Sequence, residues 1–455
     1  MSGSQYSMLY KDSIRSGTFA ARSAFSALFL IAWTTLSFAQ EPPLDVQGNW
    51  RAVRPPDATA INGWLFYPTL RIYTLYSDNL FLSPLRPLSV PGIGVTPSLT
   101  AEWSNGIHTT TLYGNIDRQV YPTENDINTF DARAGFTQKY EALRDLIFRV
   151  NGNFAHQTLA SSLQNSIQAA APTPTTTVLP PPGQTMGLAN PAMGSTVPLV
   201  VNPFDQFTGT FSVDKIFNRG ILSLSSSVNR NDYEVQSSQS TRSRLFTEKA
   251  GVWLGPLFYA YSDGSIATVV TDATSASTTT YRAIGGLGTR QFGLFRSSAY
   301  FGHQGSQGST VAGGEVYGGT LSYYPTPKWT LTGTVDRTIN ISSQASATNL
   351  ALTLPGLSAV QIPLGTSTRI TSASLLSSYE ITSQWFATWQ LGHTRIEYID
   401  SPRLDKSWIL DATLRYDIWR NTSLTWQYRY RSVLSNAPFV SATSNYAMMG
   451  ATHKF

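Results

Sequence analysis

YDIWRNTSLTWQYRYR, residues Tyr416 to Arg431, is the stretch on which the reading of the whole chain turns. Beyond Arg420-Asn421 it alternates. Leu424, Trp426, Tyr428 and Tyr430 fall on one side of an extended chain, and Thr425, Gln427, Arg429 and Arg431 on the other. A core strand of a soluble protein would have to bury one of these faces, and a buried arginine is costly without a partner. The conflict disappears if each face has its own solvent, lipid for the aromatic side and water for the arginine side. On that reading Arg429 and Arg431 are expected to be hydrated.

The same period recurs along the chain. Asp131, Arg133 and Lys139 alternate with Phe130, Ala132, Ala134, Phe136 and Tyr140, and Arg149, Asn151 and Asn153 with Phe148, Val150 and Phe154. Thr388, Gln390 and Thr394 alternate with Trp385, Ala387, Trp389 and Leu391, and Asp411, Thr413 and Arg415 with Trp408, Leu410, Ala412 and Leu414. This is the half-buried strand pattern. Short turn-rich connections at Asn105-Gly106, Leu143 to Asp145, Phe217 to Gly220, Gly255-Pro256, Pro325 to Lys328, Thr382 to Gln384 and Trp419 to Asn421 alternate with longer ones. The longer ones, at Pro84 to Pro91, Leu159 to Asn202, Thr271 to Ser277, Gln344 to Gly365 and Ser435 to Ser441, are rich in Ser, Thr, Pro and Gly.

Short turns on one rim and long loops on the other predict an all-β transmembrane antiparallel β-barrel, with short periplasmic turns and long extracellular loops. About 18 strands are expected, with 16 as the alternative. They are placed near residues 62–75, 93–104, 107–119, 127–141, 144–158, 203–216, 219–233, 241–254, 257–270, 278–291, 294–306, 313–325, 328–342, 366–381, 384–399, 404–418, 421–434 and 442–455. Tyrosines precede several tight connections, as in Tyr140 to Leu146, Tyr324 to Thr330 and Tyr379 to Trp385, a shared turn chemistry. Aromatics gather near strand ends: Trp64, Phe66 and Tyr67; Trp253, Phe258 and Tyr259; Tyr323, Tyr324 and Trp329; Tyr379 and Trp385; Tyr416 and Trp419. Amphipathic rings prefer the headgroup level, so these are expected to form interfacial girdles.

The ends of the chain agree with export. Lys11, Arg15 and Arg22 precede the apolar run Ala24 to Ala39, with small residues at Ser37 and Ala39, so residues 1–39 read as a cleaved signal peptide. Residues 40–60 are proline-rich and read as a flexible periplasmic segment, leaving 61–455 for the barrel and 159–202 as its long extracellular loop. The chain of 455 residues has no cysteine, which excludes a disulfide framework and thiolate metal sites. Only 13% of it is charged and its net charge is +5, too small to point to nucleic acid. No cofactor is expected. At the other end NYAMMGATHKF places Ala447, Met449 and Ala451 at alternate positions before a terminal Phe455, the pattern of a barrel-assembly signal, with His453 where an aromatic is more usual.

YPTLRIYTLYSDNLF, Tyr67 to Phe81, with its tyrosine-proline start and Asp78-Asn79 pair, resembles the opening of the beta-barrel porin 2 family of bacterial outer membranes. The tyrosine-turn-strand units and Phe455 resemble it too. The resemblance implies a barrel over about residues 61–455 and a porin-like role, with export of extracellular polysaccharide as the alternative. It implies no functional residues.

The chemistry expected is that of a pore wall. Arg71, Asp131, Arg133, Lys139, Arg149, Asp336, Asp411, Arg415, Asp417, Arg429 and Arg431 all lie opposite the apolar stripe. An arginine facing lipid at midplane costs about 2–4 kcal/mol, so these residues are expected to line the lumen. There they either brace the wall by pairing or form a mildly basic constriction that favours anionic solutes or acidic polysaccharide. The enzyme alternative rests on His108, His156, His303, His393 and His453, which are scattered, without a nucleophile elbow or metal-ligand spacing. A structural or adhesive surface barrel is the remaining alternative. The expected partners are outer-membrane lipid, the barrel-assembly machinery and small anionic solutes or polysaccharide.

Overall fold

Antiparallel hairpins carry most of the residues described by the computed structural model. It describes residues 58–82, 84, 87–158, 203–234, 240–271, 277–307, 313–341, 349–352, 360–363, 367–399, 401–437 and 440–455. The expected signal peptide, most of the N-terminal segment and the loop 159–202 lie outside these residues. Eighteen long strands run in chain order: β1 (Trp64–Ser77), β2 (Val90–Ser104), β3 (His108–Val120), β4 (Thr129–Leu143), β5 (Leu146–Gln157) and β6 (Phe204–Phe217). Next come β7 (Gly220–Tyr233), β8 (Thr241–Trp253), β9 (Phe258–Thr271), β10 (Ser277–Thr289), β11 (Phe295–Gln307) and β12 (Gly314–Thr326). The series ends with β13 (Trp329–Ile341), β14 (Ser367–Glu380), β15 (Trp385–Tyr398), β16 (Leu404–Trp419), β17 (Thr422–Ser435) and β18 (Ala442–Lys454).

Each strand pairs with the next, and β18 pairs with β1 from Thr69↔Lys454 to Ser77↔Tyr446, so the sheet is a closed ring without edges. Every expected segment holds a strand, with ends that differ by a few residues. The first begins at Trp64, and β2 starts earlier than expected, at Val90. Two pieces were not anticipated: a short strand Thr59–Ile61 paired to the start of β1, and a hairpin of Asn349–Leu352 with Val360–Pro363 within the β13–β14 loop.

The Asp78-Asn79 pair of the family-like motif fastens the closing seam. Asn445 donates from its backbone N to Asp78 Oδ1 (2.7 Å) and from Nδ2 to Asp78 Oδ2 (2.6 Å), while Asn79 Nδ2 donates to the Thr443 carbonyl (3.0 Å). At the opposite end of the seam the Phe455 backbone N donates to the Pro68 carbonyl (3.1 Å).

Carried once around the ring, the register returns to β1 displaced by about 22 residues. An even displacement keeps residues of one parity on the same face all the way round. With strands about 4.8 Å apart and about 3.3 Å per residue, this stagger tilts the strands by about 40°. A round section then measures roughly 35 Å between backbones.

Contacts between next-nearest strands identify the concave face, because side chains converge there. Tyr73 of β1 reaches over β2 to Asp117 of β3 (2.8 Å), Tyr113 of β3 over β4 to Asn153 of β5 (3.1 Å), and Tyr300 of β11 over β12 to Asp336 of β13. Glycine in the crossed strand makes room: a Cβ on Gly94 would lie 2.1 Å from Tyr73 Cζ, and one on Gly318 2.6 Å from the Tyr300 ring. The opposite, convex face exposes Ile72, Leu112, Phe136, Phe211, Val228, Ile266, Phe301 and Val335. That is a continuous apolar surface of a kind water does not favour.

Candidate functional site: the inner wall

By register, all eleven charged residues singled out in the sequence stand on the concave face. The row Gln390, Asp411, Arg429, Tyr446, Ser77 crosses β15, β16, β17, β18 and β1 as direct partners. Arg431, Arg415 and Asp417 share the parity of Arg429 and Asp411 on their strands. Arg71 pairs Thr96, Asp131 pairs Asp117, Lys139 pairs Arg149 and Asp336 pairs Gly318.

Most of the charges on this face are matched. Arg429 Nε donates to Asp411 Oδ2 (2.8 Å), Arg415 Nε to Asp417 Oδ1 (3.0 Å), and Lys249 lies 3.6 Å from Asp263. Arg149 pairs with Asp214, and Lys139 with Glu141. Neutral groups hold others. Asp117 accepts from Tyr73, from Thr96 Oγ1 (2.7 Å) and from Gln119 Nε2 (2.8 Å), and Asp131 from the Thr158 backbone (2.8 Å). With the Gln157 amide turned so that its oxygen faces the guanidinium, that oxygen accepts from Arg133 (2.7 Å). At the long-loop rim Arg403 and Asp405 pair at 2.7 Å, almost wholly buried, with Tyr398 donating to the carboxylate (3.0 Å).

Two expectations are corrected. Arg429 is not hydrated: only 7% of it is exposed. Asp411 on one side and the Tyr446 ring on the other replace its water. The wall is also not wet all round. Leu75, Val90, Tyr121, Ile127, Tyr446 and Met448 form a buried cluster with Tyr73, against which Leu80, Phe81 and Leu88 from the β1–β2 loop pack. The β1–β2 connection, expected as one of the long loops, folds its apolar residues onto the concave wall between β18 and β3. Its leucines were the available signal.

The aromatic girdle is partly as expected. Trp64, Phe66, Phe258, Tyr323, Trp329, Tyr379, Trp385 and Tyr416 share the convex parity at the short-turn rim, and Trp329 donates to Ser377 Oγ (2.9 Å). Tyr67, Trp253 and Tyr259 turn inward. Trp253 and Tyr259 stack edge to face at 5.1 Å, with the Arg290 guanidinium 4.0 Å over the indole. Position near a strand end predicted their level but not their face. Lys215 of β6 donates to Asp145 in the β4–β5 turn, which holds that carboxyl below the ordinary carboxylate value.

The five histidines sit on separate strands, and all share the convex parity. Each lies beside an aromatic ring: His108 on Tyr140, His156 near Phe130, His303 near Tyr281, His393 on Trp408 and His453 against Phe455. No two of them meet. Among the described residues no cluster of three or more His, Asp or Glu could hold a metal ion.

No family model matches the chain, and no curated protein matches it. Solved structures similar to it include the siderophore receptor PirA of Acinetobacter baumannii, at 6% identity, TM-score 0.45, 87% of this chain and 81% of that one. The ferric enterobactin receptor PfeA of Pseudomonas aeruginosa is similar at 7% identity and TM-score 0.46, covering 86% and 80% of the two chains. OpdL of Pseudomonas aeruginosa is similar at 12% identity and TM-score 0.45, covering 87% of this chain and all of that one. With TM-scores below 0.5, these likenesses are given no weight beside the chain's own register.

Proposed function

We propose that the chain is a channel of the bacterial outer membrane that passes hydrophilic solutes passively. Its short turns face the periplasm and its long loops face outward. One observation carries the reading: a closed ring of eighteen strands with an apolar convex face and a charged, hydrogen-bonded concave face. A backbone ring satisfies its own N–H and C=O groups, which lipid requires. At this strand number the side chains of opposite walls do not bridge the interior, and water fills it. The signal-like residues 1–39, the terminal Phe455 and the resemblance of Tyr67 to Phe81 to the beta-barrel porin 2 family support export, barrel assembly and a porin-like role.

The ion pairing of the wall favours bracing over a basic constriction. Arg149, Lys139, Arg415 and Arg429 each have a carboxylate beside them, so the channel discriminates weakly by charge. Purified protein added to planar bilayers should give discrete conductance steps, with a reversal potential close to zero in a salt gradient. Intact barrel without steps refutes the channel, and a strong anion or cation preference refutes the paired wall.

A further inference from the structure

The convex face carries an arrangement that passage through the lumen does not use. Arg337 of β13 pairs Thr371 of β14, Thr371 pairs Arg395 of β15, and Arg395 pairs Lys406 of β16. The register thus lays one row across four strands with three cations on it. Their parity is that of Val335 and Trp408, which expose 48% and 43% of their surface on the convex side. Glu397, two residues beyond Arg395, accepts from Arg395 (2.7 Å) and from Arg369 (3.2 Å). Two of these cations thus share the Glu397 carboxylate, while Arg337 donates to the Tyr317 hydroxyl (3.4 Å) and lies over its ring. The Nε atoms of Arg337 and Arg369 are also buried without an acceptor.

Height on the barrel decides what the row meets. Arg395 lies ten residues along β15 from Trp385 in the short-turn girdle, which on a strand tilted by about 40° places it about 25 Å above that girdle. The apolar band of an outer-membrane barrel is about 25 Å tall, so the row stands at the opposite interface, at headgroup level. Like charges set side by side on a sheet are destabilising unless an anion lies between them. Arg230 and Arg242, direct partners on β7 and β8, have the same convex parity.

We propose that Arg337, Arg369, Arg395 and Lys406 bind the phosphate of an anionic lipid headgroup in the leaflet on the long-loop side. This rests on the membrane reading given under Proposed function. A phosphate offers several strong acceptor oxygens to guanidinium groups, matching both the excess charge and the two Nε donors that lack an acceptor. The occupant is a lipid because the row lies directly above the apolar belt, where acyl chains run alongside Val335 and Trp408.

The test uses the full barrel in detergent micelles, with binding of lipid A measured by native mass spectrometry and thermal melting. Dephosphorylated lipid A and inorganic phosphate form the other two arms. Lipid A should be retained and raise the melting temperature, its dephosphorylated form should not, and inorganic phosphate should not displace it. R395A/K406A should bind lipid A about thirtyfold more weakly, with unchanged heat-modifiable migration and unchanged conductance. Equal binding of the two lipid forms overturns the proposal, as does displacement by inorganic phosphate or an unaffected variant. Should that variant fold poorly, the three arms on the unaltered protein decide alone. Conductance failing while phosphate-dependent binding persists would remove the channel and leave the lipid site standing.

Discussion

Replacing Asp411 with Ala should cost the barrel more than most single changes to its wall. Asp411 accepts from Arg429 Nε at 2.8 Å and from Gln427 Nε2 at 3.0 Å, and the side chains of the ion pair are only 8% and 12% exposed. Without the carboxylate, Arg429 stays in the wall between Tyr446 and the β16 backbone with no anion to offset its lost hydration. Breaking a buried pair on one side costs about 3–5 kcal/mol, whereas replacing both members with apolar groups of similar size is often neutral. D411A and R429M should therefore each destabilise, while D411L/R429M should recover most of the loss, a coupling of at least about 2 kcal/mol. The assay is reversible urea unfolding in lipid vesicles, followed by heat-modifiable migration and tryptophan fluorescence. If D411A costs less than about 1 kcal/mol, or the two single changes simply add, Arg429 has water to turn to and the wall there is wet.

Three further changes probe separate parts of the ring. G94V places side-chain atoms where Tyr73 lies, 2.1 Å from its Cζ, and should destabilise by about 1–3 kcal/mol in the same unfolding assay. G94V/Y73A should relieve part of that loss. D78A removes two acceptors at the β1–β18 seam and should cost about 1–3 kcal/mol, read as a lowered temperature of heat modification. The Asp145 carboxyl is held below its ordinary value by Lys215, so its contribution is complete above the ordinary carboxylate range and fades as pH falls through the lowered value. The stability difference between the unaltered protein and K215A should accordingly be present at neutral pH and vanish in acid.

Much of this was legible in the sequence because a strand between two solvents writes its environment into alternate residues. Phe130 to Tyr140 and Leu424 to Arg431 each give the parity of both faces directly, and Asn105-Gly106 and Arg420-Asn421 mark hairpins. What the alternation could not supply was the neighbour two strands away. Tyr73 reaching over Gly94 to Asp117, or Tyr113 reaching over β4 to Asn153, depends on a register summed over two successive pairings. Tyr259 and Trp253 were misplaced for a related reason: nearness to a strand end fixes height, while parity fixes face. The outer row of Arg337, Arg395 and Lys406 likewise exists only once four strands are aligned.

The chain has no cysteine, so single cysteines report directly on which face meets water. On β7, Ser225 and Ser227 have the concave parity, and Leu224 and Val228 the convex one. In lipid vesicles, S225C and S227C should react with a charged, water-soluble maleimide, and L224C and V228C only with a lipophilic one. Equal reaction at all four positions, or the reverse pattern, would contradict a water-filled barrel embedded by its apolar outer face.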